Sequence, residues 1–360
     1  MKFYQPRNFR PLLLFVLMSL VCRGVVPAQV STPSPQSAPL TVQTTVQTTV
    51  QSPAQPAAQA VRLNVIVTDK SERFVADLRQ EDFRVEEDGV PQPITHFARE
   101  MSPVSYAIVV DNSGSLRSLM NYIIGTAGLL IQANRPSDET MLVRFVDSDN
   151  INVMQEFTDN QTALMQGLSG MYVEGGQTAV IDAVYLAVER VAERRAGESG
   201  LRRRAVVLLS DGEDRSSFYK LKELQALLRK SDVQVFAISL LQNLDKDPGY
   251  IRKSPREKAI NLLDSLTQET GGRVFYPKKP SGLMEAITEI SNYLRTQYVI
   301  GYQSANASRD GKFRKVQVKL NEAASDAKRT VHARSGYFTP GAKAEEKTRS
   351  KEKAPGRKSP

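Results

Sequence analysis

Tyr106-Ala-Ile-Val-Val110-Asp111-Asn-Ser113-Gly-Ser115 sets an uninterrupted apolar run directly against an oxygen-rich turn. A short continuous apolar run reads as a strand buried on both faces. In the turn, a carboxylate and two hydroxyls stand at alternate positions, so one stretch of backbone can aim all three at a single point. A helical pattern over Leu116–Asn134 follows. The same order returns at Ala205–Leu209, a second continuous apolar run that leads into Ser-Asp211-Gly-Glu-Asp214, and between the two Gly175-Gly-Gln-Thr178 opens another helix.

Further strands are expected at Met141–Val146, Val153–Phe157, Val233–Ile238 and Arg273–Tyr276. Helices are expected at Gln161–Leu168, Ala179–Arg194, Phe218–Lys230, Arg256–Thr270 and Gly282–Leu294. Ser216-Ser217 and Ser254-Pro255 serve as start signals and Gly271-Gly272 as a stop. Strands that alternate with helices imply an α/β fold, a doubly wound and mostly parallel six-stranded sheet covered on both faces. Such a sheet binds ligands beyond the carboxyl ends of its strands. The three oxygen-bearing loops fall at that edge.

Two carboxylates and three hydroxyls form an all-oxygen set, which suits a hard cation such as Mg²⁺, with Mn²⁺ or Ca²⁺ as substitutes. Neutral hydroxyls leave much of the cation's charge uncompensated, which favours one more anionic oxygen from outside. The set resembles the metal-ion-dependent adhesion site of von Willebrand factor type A domains: Asp-x-Ser-x-Ser, a Thr after glycines, then Asp-Gly. The resemblance implies that Ser113, Ser115 and Thr178 contact the metal, that Asp111 and Asp211 help directly or through water, and that an Asp or Glu carboxylate of a protein partner completes the shell. Gln177, which separates the glycines from Thr178, departs from the pattern and bears on the Thr contact. The function implied is cation-dependent protein binding or adhesion without catalysis. The alternatives are a metal-dependent hydrolase, with Glu213 and Asp214 as the nearby candidates for general base, and a structural scaffold with a degenerate site.

On either side of this unit the texture is that of half-buried strands. Val61–Val67, Phe83–Val85 and Ile94–Phe97, with a turn at Asp88-Gly89, precede it; Tyr298–Tyr302, Lys315–Leu320 and Thr330–Arg334, with a turn at Asp310-Gly311, follow. Neither half can close a core alone, so the two are expected to form one small flanking β domain (61–102 and 297–339) into which residues 103–296 are inserted. Gln80–Gly89 and Arg334–Phe338 also resemble the flanks of exported bacterial proteins that carry such domains. Phe83, Tyr337 and Phe338 are expected in the core of the flanking part.

The two ends read differently. Lys2, Arg7 and Arg10 precede an apolar run from Leu12 to Val21, and Val26-Pro-Ala28 supplies small residues for cleavage, so residues 1–28 read as a signal peptide. Val21 stands where a lipid-anchor motif takes Gly, Ala or Ser, which argues against an anchor at Cys22. The run is about half of the ~20 residues that cross a bilayer, so no transmembrane span is expected in the mature chain, which would be periplasmic, cell-surface or secreted. Residues 29–60, rich in Pro, Gln, Thr and Ser, read as a disordered linker and 340–360 as a disordered basic tail.

Cys22 is the single cysteine and His96 and His332 the two histidines, which leaves no thiolate chemistry in the mature chain and no histidine near the main motifs. The net charge of +9 comes partly from the leader and the tail, and no basic stretch interleaved with aromatics points to nucleic acid. Asp147-Ser-Asp149 reads as a solvated loop. Asp182 either orients the metal site or supports a helix start. Arg202-Arg-Arg204 reads as a solvated approach to a buried strand. Asn160 and Asn306 head glycosylation-like triplets.

Overall fold

Strand β1 (Ala60–Thr68) buries Val61, Leu63, Val65 and Val67 at alternate positions, as a period of two requires. Short strands β2 (Phe83–Glu87) and β3 (Val90–Gln92) form a hairpin through Asp88 and Gly89, both at positive φ, the backbone that a two-residue turn between twisted strands demands. Strand β4 (Ile94–Met101) runs four residues beyond the expected Phe97. The structure, a computed structural model, describes residues 59–194, 202–241, 254–277, 279–325 and 328–341. The expected signal peptide, nearly all of the linker and most of the basic tail lie outside these. The linker ends earlier than expected, since Ala60 is already in β1 and the Gln59 carbonyl accepts the Ser304 N–H. Likewise Gly341, read as tail, bridges to Asp310.

Next come β5 (Val104–Asp111), α1 (Met120–Gln132), β6 (Glu139–Phe145), β7 (Ile151–Thr158), α2 (Gln161–Ser169), α3 (Val180–Glu193), β8 (Arg203–Ser210), α4 (Leu221–Lys230), β9 (Gln234–Ser239), α5 (Pro255–Thr270), β10 (Val274–Phe275) and α6 (Pro280–Arg295). The strands form one sheet in the order β10-β9-β8-β5-β6-β7, parallel except for β7 at the edge. The two continuous apolar runs, β5 and β8, are neighbours at its centre. Alternate residues of β5 serve opposite faces. Tyr106, Ile108 and Val110 pack with Leu130, Ile131, Leu164 and Ile290 of α1, α2 and α6. Ala107 and Val109 pack with Val184, Val188, Leu224 and Leu263 of α3, α4 and α5. This is the doubly wound arrangement the sequence implied.

The chain then returns through β11 (Thr296–Gln303), β12 (Phe313–Leu320), a short α7 (Glu322–Ser325), β13 (Thr330–His332) and β14 (Gly336–Phe338). The first and last segments interleave in two antiparallel sheets, β13-β1-β11-β4 and β14-β12-β2-β3, which share one core of Leu63, Val65, Phe83, Val85, Tyr298, Ile300, Val316 and Tyr337. Phe338, expected in that core, is partly exposed and stands edge-on to Phe313. The expected strand over Thr330–Arg334 ends at His332, and Gly336–Phe338 forms a strand in the other sheet. At Gly336 a side chain would lie 2.1 Å from the Arg314 carbonyl, so only glycine admits that pairing.

Two local departures shape the unit in the middle. A 3-10 turn over Gly114–Leu119 precedes α1, where one helix from Leu116 was expected. Helix α4 starts at Leu221, three residues after the expected Phe218, because the intervening residues are drawn into the site described next. Arg203 departs from the solvated reading altogether. It is 4% exposed and donates to the Leu294, Arg295 and Glu100 carbonyls, and burial lowers its pKa to about 10. It fastens the root of β8 to both connections of the inserted unit.

Candidate cation site

Asp111 closes β5 at the carboxyl edge of the sheet, opposite Phe145 of β6, and is 0% exposed. Its Oδ1 accepts the Ser113 N–H at 3.0 Å, a turn that a short acidic side chain makes with the backbone two residues on. Its Oδ2 accepts the Ser210 hydroxyl at 2.6 Å, and Ser210 in turn accepts the Gly212 N–H at 2.9 Å. Asp211 repeats the turn from the neighbouring strand, its Oδ1 accepting the Glu213 N–H at 3.0 Å. A chain of hydroxyls spans the two carboxylates. Ser113 Oγ lies 2.9 Å from Ser115 Oγ, and Ser115 donates to Asp211 Oδ2 at 2.8 Å. Four of the five expected residues thus converge.

The fifth comes from the third loop. Thr178 is 4% exposed, and its carbonyl accepts the N–H groups of Arg215 at 2.8 Å and Ser216 at 3.2 Å. The Ala179 N–H reaches the Val146 carbonyl at 3.2 Å. The loop is therefore held between the end of β6 and the Asp211 turn, while the Thr178 hydroxyl makes no hydrogen bond to the serine and aspartate groups. Gln177 is exposed, and its carbonyl accepts the Ser216 hydroxyl. Gly176 needs to be glycine, because a Cβ there would fall 2.4 Å from Val146 Cγ1. Gly212 sits at φ +78 with Leu263 2.9 Å from where a Cβ would be, so the Asp211 turn can lie flat on α5.

The electrostatics of the pair follow from burial. The Asp111 carboxyl is pushed up to about 7, first by loss of water and then by the charge of Asp211; hydrogen bonds from Ser113 and Ser210 pull the other way. Asp211 is also raised by burial, against the Glu213 N–H and the Ser115 hydroxyl. Arg215, the cationic side chain of that loop, forms its ion pair with Glu213 at 2.5 Å, and its charge only partly offsets the burial that raises Asp211. Two adjacent buried carboxylates that disfavour their own charge, bordered by hydroxyls, fit a hard divalent cation, which would relieve the repulsion.

Ser210 belongs to this arrangement although nothing in the sequence analysis singled it out; a serine at the end of an otherwise apolar strand was the available signal. Asp182, read two ways, does neither alone. Its Oδ2 accepts the Phe218 N–H at 2.7 Å and the Ser148 hydroxyl at 2.8 Å, and its Oδ1 accepts the Tyr219 N–H at 2.9 Å. It therefore ties the loop after Asp211 to the start of α3. Asp214 answers from the other side, accepting the Ile181 N–H at 3.1 Å and the Ser217 hydroxyl at 2.6 Å. Both candidate general bases are thus committed, Glu213 to Arg215 and Asp214 to α3. Asp147 is occupied in a turn with the N–H groups of Asp149 and Asn150. Asn160 caps α2 through the Ala163 N–H. His332 is half-buried beside Thr68, and burial lowers its pKa to about 4.

Comparison with known proteins bears on the same residues. A sequence profile of the von Willebrand factor type A domain matches residues 106–213, the span from the first buried strand to the turn after Asp211. No curated protein matches the chain. Solved structures similar to it include the conserved hypothetical protein BatB from Bacteroides thetaiotaomicron, with 16% identity, 53% of this chain and 98% of that one covered, and a TM-score of 0.40. An aerotolerance-related membrane protein from Bacteroides fragilis aligns at 16% identity over 52% of this chain and 98% of its own, with a TM-score of 0.39. A von Willebrand factor type A protein from Catenulispora acidiphila aligns at 13% identity over 76% of this chain and 77% of its own, with a TM-score of 0.42. The strand order, the paired turns at the sheet edge and the matching profile lead to one assignment: this chain carries a von Willebrand factor type A domain.

Proposed function

We propose that the domain is the cation-dependent protein-binding part of an exported adhesion or capture protein and performs no catalysis. Domains of this type are protein-interaction modules. The observation that carries the finer reading is the bridge from Asp111 to Asp211 through Ser113 and Ser115, two buried acids held side by side with no cationic side chain between them. Ser113, Ser115 and Thr178 would be direct ligands of Mg²⁺, or of Mn²⁺ or Ca²⁺, with Asp111 and Asp211 contributing directly or through water. When bound, the ion supplies an exposed positive centre for an Asp or Glu carboxylate of the partner. The chain's own residues do the remaining work: Ser210 fixes the rotation of the Asp111 carboxylate, and Gly176 lets the Thr178 loop approach.

Titration calorimetry with Mg²⁺ and Mn²⁺ is expected to show one specific heat per chain, absent in Asp111→Ala. Partner capture from a native envelope extract is expected to vanish with EDTA or with that variant while the fold persists. Capture that continues undiminished in EDTA overturns the proposal. Among the described residues no helix is long and apolar enough to cross a membrane; export rests on the sequence of residues 1–28.

A further inference from the structure

Helix α3 starts without a cap of its own. Its N-cap residue is Ala179, which has no side chain to accept the first N–H groups, whereas α2 and α5 carry Asn160 and Ser254 at that position. The acceptors come instead from the loop after Asp211. The Ile181 N–H donates to Asp214 Oδ1 at 3.1 Å and the Asp182 N–H to Ser217 Oγ at 3.2 Å, with Ser217 itself donating to Asp214 at 2.6 Å. The same loop leans on α3 in return. Buried Asp182 accepts the N–H groups of Phe218 at 2.7 Å and Tyr219 at 2.9 Å, and the Ser148 hydroxyl at 2.8 Å. The Thr178 carbonyl adds the N–H groups of Arg215 and Ser216. Thr178 precedes Asp182 by four residues and Asp211 precedes Asp214 by three, so these bonds join the two loops directly beside the candidate ligands.

A cap alone requires only Ser, Thr, Asp or Asn at the N-cap position. Reciprocal bonds between segments more than thirty residues apart in the chain do what a local cap cannot, because they fix the spacing of the two loops. We propose that Asp182 and Asp214 are positioning residues of the cation site, a clamp that holds the Thr178 loop at its distance from Asp211 before any ion arrives. The inference rests on the functional reading above, in that Thr178 and Asp211 are taken as contributors to the cation's shell. The Thr178 hydroxyl makes no hydrogen bond to the serines and aspartates of the site, so its place is set by the backbone of its loop, and that backbone is what the two carboxylates hold. Mg²⁺ takes near-ideal octahedral geometry at about 2.0–2.1 Å and tolerates little displacement of a ligand. A loop ordered beforehand also spares the ion the loss of affinity that comes from binding a fractionally populated conformation.

The test combines titration calorimetry with Mg²⁺ and amide hydrogen exchange, in EDTA and in saturating Mg²⁺, on the intact chain and on Asp182→Ala, Asp214→Ala, Asp214→Asn and Glu87→Ala. In EDTA, exchange at Ala179 and Ile181 is expected to be at least about tenfold faster in Asp182→Ala than in the unmodified chain. Mg²⁺ should bind that variant about tenfold more weakly, the usual effect of removing a group that orients a metal's ligands from outside the shell. It should also slow exchange at the two amides far more in the variant than in the unmodified chain, since only there must the ion order the loop. Asp214→Ala is expected to behave alike, and Asp214→Asn, which keeps an oxygen for the Ile181 N–H, to recover most of the affinity. Glu87→Ala, which weakens the fold away from the site, should keep its Mg²⁺ affinity. Undiminished Mg²⁺ binding by both alanine variants at the site, equal weakening in Glu87→Ala, or an equal effect of Mg²⁺ on exchange with and without Asp182 overturns this inference and leaves the cation reading standing. No Mg²⁺ heat from the unmodified chain overturns both.

Discussion

Asp111 concentrates the conflict between burial and charge in this domain. A carboxyl whose pKa is raised by folding favours the folded state only while protonated, so the ion-free protein loses stability as pH climbs from about 4 towards 7. In EDTA the melting temperature is therefore expected to fall by several degrees across that range. In Asp111→Asn the fall should be reduced, since the amide carries no proton to lose over that range, and in saturating Mg²⁺ it should disappear from the unmodified chain. A melting temperature that stays level in EDTA would show that the pair's charge is already balanced without an ion. The two aspartates and the alternate serines were legible because each follows a strand signal with an oxygen-bearing turn. Ser210 was not: a hydroxyl inside an apolar run carries no periodic mark, and its partner lies ninety-nine residues away.

At the scale of elements, the doubly wound sheet could be read almost strand by strand, since β5, β8 and β9 each hold an unbroken apolar run between polar ends and α3 is strongly one-sided. The start of α4 could not. Ser216 and Ser217 look like a helix cap, yet Ser217 serves Asp214 and the next two N–H groups serve Asp182, so the helix waits for Lys220 and Glu223. Tertiary bonds overrode a local signal of about 1 kcal/mol. Asp182→Ala leaves those N–H groups without their acceptor. Hydrogen exchange at Phe218 and Tyr219 is expected to rise at least tenfold, with global stability lowered by roughly 1–3 kcal/mol. Unchanged exchange at those two amides would mean that the loop is held by other contacts.

At the scale of the whole molecule, the pairing of the first and last segments was foreseen from alternation and from the inability of either half to bury a core. The polar fastening was not, because hydrophobic pattern says nothing about it. Glu87 of β2 is 2% exposed and accepts the hydroxyls of Tyr302 at 2.8 Å, Ser304 at 2.6 Å and Tyr337 at 2.9 Å. One carboxylate thus ties elements from both ends of the chain. Glu87→Ala would leave the buried Tyr302 and Tyr337 hydroxyls without this acceptor and the Ser304 hydroxyl with the Asn306 carbonyl at 3.2 Å, a loss of about 3 kcal/mol. Limited proteolysis of that variant is expected to strip the flanking sheets and leave a resistant fragment close to 103–296. Degradation without such a fragment would show that the inserted unit does not hold its fold alone. That unit leaves β4 and re-enters β11 at Met101 and Thr296, which are paired across one antiparallel ladder, while the proposed site lies at the opposite edge of its sheet. Any pull exerted by a captured partner therefore crosses the parallel strands before it reaches two covalent connections that lie side by side, with the Glu72–Arg273 and Ser335–Glu269 contacts as further ties to the flanking sheets.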